Sequence, residues 1–144
     1  ECSNSIIENN NEIYYSSDFF NTLDFQGEIR KNLQVSNLRA ILNILSTKEI
    51  PAQIHAFGNK SVQYHRGKIK KVIDYGRWLN VMDRGFNIHI LEDKIIKCDL
   101  VEYIVGSKMN YALNFYDYKN IFVLGVCALK GFELDFNNIL NEME

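Results

Sequence analysis

Apolar and polar positions fall into three successive rhythms along the chain. From Ser17 and Asp18, a good capping pair, Phe19, Phe20 and Leu23 recur at helical spacing. A clearer helix follows, capped by Ser36, with Leu38, Ile41, Leu42 and Leu45 on one face at i, i+3, i+4 and i+7. Pro51 stands beyond its end, where proline belongs. The period then drops to two. Ile54 and Ala56, then Val62 and Tyr64, alternate with polar residues around a Gly58-Asn59 hairpin signal. Gly67 and Gly76 open further turns ahead of Trp78 to Val81, and Phe86, Ile88 and Ile90 alternate with Asn87, His89 and Leu91.

Strands are also expected over 95–104, 111–116 and 121–129, with Asp117 to Asn120 as the turn between the last two. Helical spacing returns over 132–143 through Phe132, Phe136 and Leu140. Strands joined by short turns, with no helix between them, pair antiparallel. The expected class is α+β: N-terminal helices, a large antiparallel meander and a C-terminal helix. Residues 1–16 read as a frayed polar segment and 17–144 as a single domain.

Composition narrows the function by exclusion. The 144 residues carry a net charge of −2, which gives no nucleic-acid surface. The basic run from Arg66 to Lys71 reads as a solvated turn, with anion binding as the alternative. Nothing approaches the ~20 apolar residues of a membrane span. Cys2, Cys98 and Cys127 lack CxxC spacing, so they imply reduced thiols in a cytoplasm. The N-terminus has no signal-peptide pattern, and it opens on Glu1 rather than methionine, as a fragment or one half of a longer protein would. Phosphate-loop, dinucleotide, zinc-protease and serine-hydrolase motifs are absent. His55, His65 and His89 have no metal-ligand spacing on a helix. His89 falls on the strand face opposite Phe86, Ile88 and Ile90, and His65 on the face opposite Val62 and Tyr64. Asp83 and Asp93 read as turn carboxylates rather than an acid/base pair.

One stretch is more informative than its chemistry. Residues 50–59 read IPAQIHAFGN, residues 62–69 VQYHRGKI, and residues 76–93 GRWLNVMDRGFNIHILED. Together these resemble the second half of haem-utilisation proteins of the HemS/HmuS/ChuS type. The family pattern there is IP-x-x-x-F-x-GN, then Q-I-H-x-G-x-I, then M-G-P-W-L-N-V-L-D-P-x-F-N-L-H-L-R-E-D. The Ser17-Asp18-Phe19-Phe20 start is similar as well, so the likeness runs over about residues 17–134.

The resemblance implies a bacterial cytoplasmic protein that receives haem after import and carries, stores or degrades it. It implies haem as ligand or substrate. It also implies a second unit, either a missing N-terminal half or a homodimer partner as in single-unit relatives of the ChuX/HutX kind. In two-half members the iron ligand comes from the first half, and the second half supplies polar contacts from a W-V-V-R-K-P-T strand and a Q-F-F-G-x-R strand. Here Tyr103 replaces the family lysine, Gly125 the glutamine, and Lys130 stands at the arginine position. The haem contacts expected from the resemblance are Lys130, Tyr103, His89 and His65, with His65, His89 or Tyr103 on the iron. A haem carrier, a haem-opening enzyme and a diverged copy without haem remain open at this point.

Overall fold

The computed structural model describes residues 28–57, 62–83, 86–105 and 107–143. The helix expected from Ser17 and the Gly58-Asn59 hairpin tip lie outside them. Strand β1 (Glu28–Leu33) precedes helix α1 (Asn37–Thr47). Eight strands follow: β2 (Ala52–Phe57), β3 (Val62–Gly67), β4 (Lys71–Tyr75), β5 (Trp78–Asp83), β6 (Phe86–Leu91), β7 (Ile95–Val105), β8 (Lys108–Asp117) and β9 (Phe122–Ala128). Helix α2 (Glu133–Met143) closes the chain. The class is α+β, as expected from the periodicity.

The meander is divided between two sheets. One has six strands in the order β1-β7-β8-β9-β2-β3, and the other is the three-stranded β4-β5-β6. Every pairing is antiparallel. Glu28–Leu33, to which periodicity assigns no element, is a strand because it pairs with β7. One sequence expectation is corrected here. Ser36 stands at the N-cap of α1, but its side chain makes no capping bond and its backbone is already helical.

Turn chemistry matches the sequence. Gly76 has φ +62° in the β4–β5 turn, a conformation that costs glycine nothing. Asp117 Oδ1 accepts from the amides of Lys119 (2.8 Å) and Ile121 (3.0 Å), and Asn120 takes the left-handed φ of 62°.

The core lies on one face of the six-stranded sheet. Ile54, Leu113, Phe115, Leu124 and Val126 meet Leu38, Ile41, Leu42 and Leu45 of α1, Phe136, Ile139 and Leu140 of α2, and the inward Leu79, Val81, Phe86 and Ile88 of the small sheet. This is the layered burial that an amphipathic helix and a one-sided sheet require.

Candidate functional site

The opposite, outer face of the six-stranded sheet is buried too, and one row across it is largely polar. Register places Asn32, Asp99, Asn114, Gly125, His55 and Tyr64 opposite one another on β1, β7, β8, β9, β2 and β3. They form one row across all six strands. His55 is 1% exposed, Asp99 0% and Asn114 2%. Asn32 Nδ2 donates to Asp99 Oδ1 at 2.5 Å. Among the described residues, Asp99 Oδ2 and Asn114 Nδ2 have no hydrogen-bond partner, although Lys97 Nζ stands 3.7 Å from the former. Leaving such atoms buried costs about 1–3 kcal/mol each. A Cβ on Gly125 would lie 2.8 Å from Phe122 Cζ, so glycine is what lets that ring fold in beside the row.

The neighbouring row, Val101, Ala112, Cys127, Gln53 and Arg66, lies toward one end of the same face. Tyr103, two residues beyond Val101, lies close enough to Cys127 for each group to affect the other's ionisation. Ala112, on the strand between them, has the small side chain that leaves that path open. Burial pushes the Tyr103 hydroxyl well above the ordinary phenol range and the Cys127 thiol up to about 11, so both are protonated at neutral pH. Arg66 lies over the Tyr64 ring, 4.8 Å from its centroid. Lys130 stands exposed just past β9, at the same end of the sheet.

Of the four residues expected to contact haem, two therefore belong to this end: Tyr103 and Lys130. His65 does not. It sits on the core side of β3, stacked on Phe86 at 4.7 Å between ring centroids. Its Nε2 lies 3.0 Å from Lys68 O and 3.3 Å from Asp83 Oδ2. It joins the two sheets rather than facing outward, with the Asp83 carboxylate beside it. His89 faces outward from the small sheet, as its period implied, with Nδ1 2.5 Å from Asn80 Oδ1. It lines, with Lys94, Phe57 and Val123, an apolar crevice of about 240 Å³. That is below the ~300–1,000 Å³ of usual small-molecule sites. Arg66, Lys68, Lys70 and Lys71 are exposed around the β3–β4 connection, as expected of a solvated turn.

His55 was not singled out by sequence. The core positions of β2 are Ala52, Ile54 and Ala56, and alternation assigns Gln53 and His55 to the other side. Burial of that side is a tertiary fact. Desolvation, with the Arg66 charge nearby, lowers the His55 pKa to about 3. Among the described residues no group of three or more His, Cys, Asp and Glu side chains forms a metal cluster, and no helix is long and apolar enough to cross a membrane.

A six-stranded sheet bearing its helices on one face and a buried polar row on the other defines a recognisable domain type. The family model of the haemin-degrading HemS.ChuX domain matches residues 23–130, and the chain belongs to that family. Among solved structures it is similar to apo-PhuS, a heme-binding protein from Pseudomonas aeruginosa, with 16% identity and a TM-score of 0.71 over 78% of this chain and 34% of PhuS. ChuS, an Escherichia coli heme oxygenase, gives 17% identity and a TM-score of 0.72 over 79% and 36%. The heme-binding protein ChuX gives 10% and 0.62 over 78% and 77%. The chain thus spans about a third of PhuS and ChuS, but most of ChuX. At these identities the likeness establishes the fold. No curated protein sequence matches.

Proposed function

We propose that this chain is a haem carrier that binds haem against the outer face of the six-stranded sheet. The observation that carries the reading is the end of that face where Tyr103, Cys127 and Arg66 come together beside the small apolar Val101 and Ala112, with Lys130 exposed just past β9. A flat, doubly carboxylated ring needs such a set: apolar floor, aromatic edge, and cations where its carboxylates lie. Haem supplies a redox-active iron when bound. This chain supplies the floor through Val101 and Ala112, an O–H donor in Tyr103, and cations in Arg66 and Lys130. Lys130 offers charge without the bidentate fork of arginine. Tyr103, His65 and His89 are the groups proposed from sequence for the iron. Of these, only Tyr103 belongs to this face.

Haem binding is stated by name for PhuS and ChuX, and it supports the reading through the shared family. The coverage of one third of PhuS against three quarters of ChuX supports a working form of two units, either two copies of this chain or this unit beside a second in one chain. The free, buried thiols of Cys98 and Cys127 support a reducing, cytoplasmic setting, and the relatives with a stated source are bacterial.

The test is a haemin titration followed by absorbance, with size-exclusion on the same samples. A saturable Soret band at one haem per chain or per dimer is expected. Lys130→Ala and Tyr103→Phe should each weaken binding, the former increasingly at low salt, as a screened ion pair requires. A folded protein with no saturable band overturns the proposal. Loss of the band on adding reductant and oxygen would replace carriage by ring opening.

A further inference from the structure

The turn between β8 and β9 carries side chains that its backbone does not call for. Asp117 and Asn120 make the turn, through the two amide bonds to Asp117 Oδ1 and the left-handed backbone at Asn120. The side chains of Tyr118 and Ile121 take no part in it, yet these residues are 65% and 55% exposed. Ile96 joins them at 59%. It is the extra residue of a bulge, since β7 pairs Ile95 with Asp117 and Lys97 with Tyr116. A bond of 2.9 Å from Lys97 Nζ to Asn120 Oδ1 ties the bulge to the turn. Single exposed apolar residues are ordinary, but three large ones on one tip mark a contact surface.

Lysines surround this tip. Lys94 and Lys119 are exposed, and the Lys119 ammonium stands 5.6 Å from the centroid of the Tyr118 ring. Lys97 lies over Tyr116 at 4.6 Å. The carboxylates of the same end are taken up elsewhere. Asp117 is turned onto the turn amides, Glu92 meets Arg39 at 2.7 Å, Asp93 meets Arg77 at 2.8 Å, and Asp99 is fully buried. The outward charge is therefore positive. The basic run from Arg66 to Lys71, at the other end of the sheet, has charge without an apolar tip, because its Ile69 is only 2% exposed. Apolar and tyrosine side chains ringed by lysines suit a bilayer surface: the rings and branched chains enter the headgroup boundary, and the ammonium groups reach anionic lipid. A protein partner asks for about 800 Å² of matched surface per side, more than one turn and one bulge present.

We infer that the β8–β9 turn and the β7 bulge form a docking tip that seats this chain on an anionic lipid bilayer, with Tyr118, Ile121 and Ile96 in the headgroup boundary and Lys94, Lys97 and Lys119 on the lipid charges. This does not rest on the haem-binding reading. Tyr103 stands further along β7 from Ile96, roughly 23 Å at a strand rise of ~3.3 Å per residue. A chain seated by this tip therefore keeps the Tyr103 end clear of the headgroups.

The test is sedimentation with vesicles of phosphatidylcholine alone and of phosphatidylcholine mixed with phosphatidylglycerol. The chain is expected to pellet with the mixed vesicles at low salt. It should stay in solution with phosphatidylcholine alone, and in 1 M salt, where the Debye length is about 3 Å. Lys119→Ala should weaken binding roughly fivefold, the equivalent of the ~1 kcal/mol that one lysine contributes near an anionic surface. Ile121→Ser should weaken it as well. Tyr118→Trp should add an emission that shifts to the blue on binding, which a contact through charge alone would not give. Lys70→Ala, at the other end, should bind like the wild-type chain. All four positions are exposed, and matching urea midpoints would show that the variants stay folded. A wild-type chain that ignores mixed vesicles overturns the proposal and leaves the tip to a protein partner. Equal pelleting with both vesicle types overturns it too, as does binding that survives Lys119→Ala and Ile121→Ser but falls in Lys70→Ala. The haemin titration contains no lipid, so failure here leaves the haem reading as it stands.

Discussion

The two faces of the six-stranded sheet use the same strands and the same two-residue period for opposite ends. On the inner face Ile54, Leu113, Phe115, Leu124 and Val126 are buried against two helices and the small sheet. On the outer face the positions between them put Asp99, Asn114 and His55 out of water as well. The first arrangement stabilises the fold by apolar burial at roughly 25 cal/mol per Å². The second lowers stability, because it desolvates a carboxylate, an amide and an imidazole and leaves two atoms without hydrogen bonds among the described residues. A sheet needing only stability would carry valines there. That cost is what makes this the face on which the haem proposal is placed.

The strongest test of that contrast is on the inner face. Phe115 is fully buried near the C-terminal end of β8. Phe115→Ala should cost about 3–5 kcal/mol by urea unfolding, with transfer and cavity terms adding. Haemin affinity per folded molecule should be nearly unchanged. A variant that unfolds easily yet still binds would confirm that the faces have separate tasks. Equal losses of stability and affinity would break the comparison.

The next effect belongs to the outer face and is read through pH. Above pH 6.5 the His55 ring is neutral in both the native and the unfolded chain. Below 6.5 the unfolded chain takes up a proton that the native state refuses until about pH 3. Native stability at His55 is therefore full above 6.5 and drains as pH falls through that window, by about 2 kcal/mol at pH 5. His55→Gln should remove this part of the slope, measured as the difference in urea midpoint between pH 7.5 and pH 5. An unchanged slope would mean that His55 is not held neutral by burial.

A smaller effect distinguishes costly polarity from useful polarity. Asn114→Leu replaces an amide whose Nδ2 lacks a partner by an apolar group of similar size. It should leave stability level or raise it by about 1 kcal/mol, since removing an unsatisfied donor offsets the lost amide contacts. A loss above about 2 kcal/mol would show the amide to be well satisfied and the row to be structural.

These contrasts also explain how much was legible beforehand. From residue 37 onward both helices and the strands other than β4 could be read from period and turn residues, because each writes its own buried stripe. Strand β1 could not, since Glu28–Leu33 becomes a strand only against Cys98 to Glu102. Alternation correctly split β2 into Ala52, Ile54 and Ala56 against Gln53 and His55, but it carries no record of whether the second set is solvated. Hence Tyr103 and Lys130 came into view by resemblance, and the burial of His55 did not. The place of His65 was hidden for a related reason. The side opposite Val62 and Tyr64 reads as exposed in one strand, but here it faces a second sheet and packs on Phe86.

The smallest effect concerns how that second sheet is attached to the inner layer. Arg39 of α1 bonds Asp74 on β4 and Glu92 just after β6, the latter at 2.7 Å. The two carboxylates hold its guanidinium firmly in the charged form. The arginine and Asp74 are nevertheless largely exposed, so water screens what they gain. Arg39→Ala should then cost about 0.5–1 kcal/mol at low salt, and less at 1 M, where the Debye length is near 3 Å. The apolar contacts of Leu79, Val81, Phe86 and Ile88 would carry the rest of the attachment. A loss of several kcal/mol that resists salt would overturn this division. It would mean that the inner layer, like the outer face, depends on desolvated charge, and the two faces would differ in degree rather than in kind.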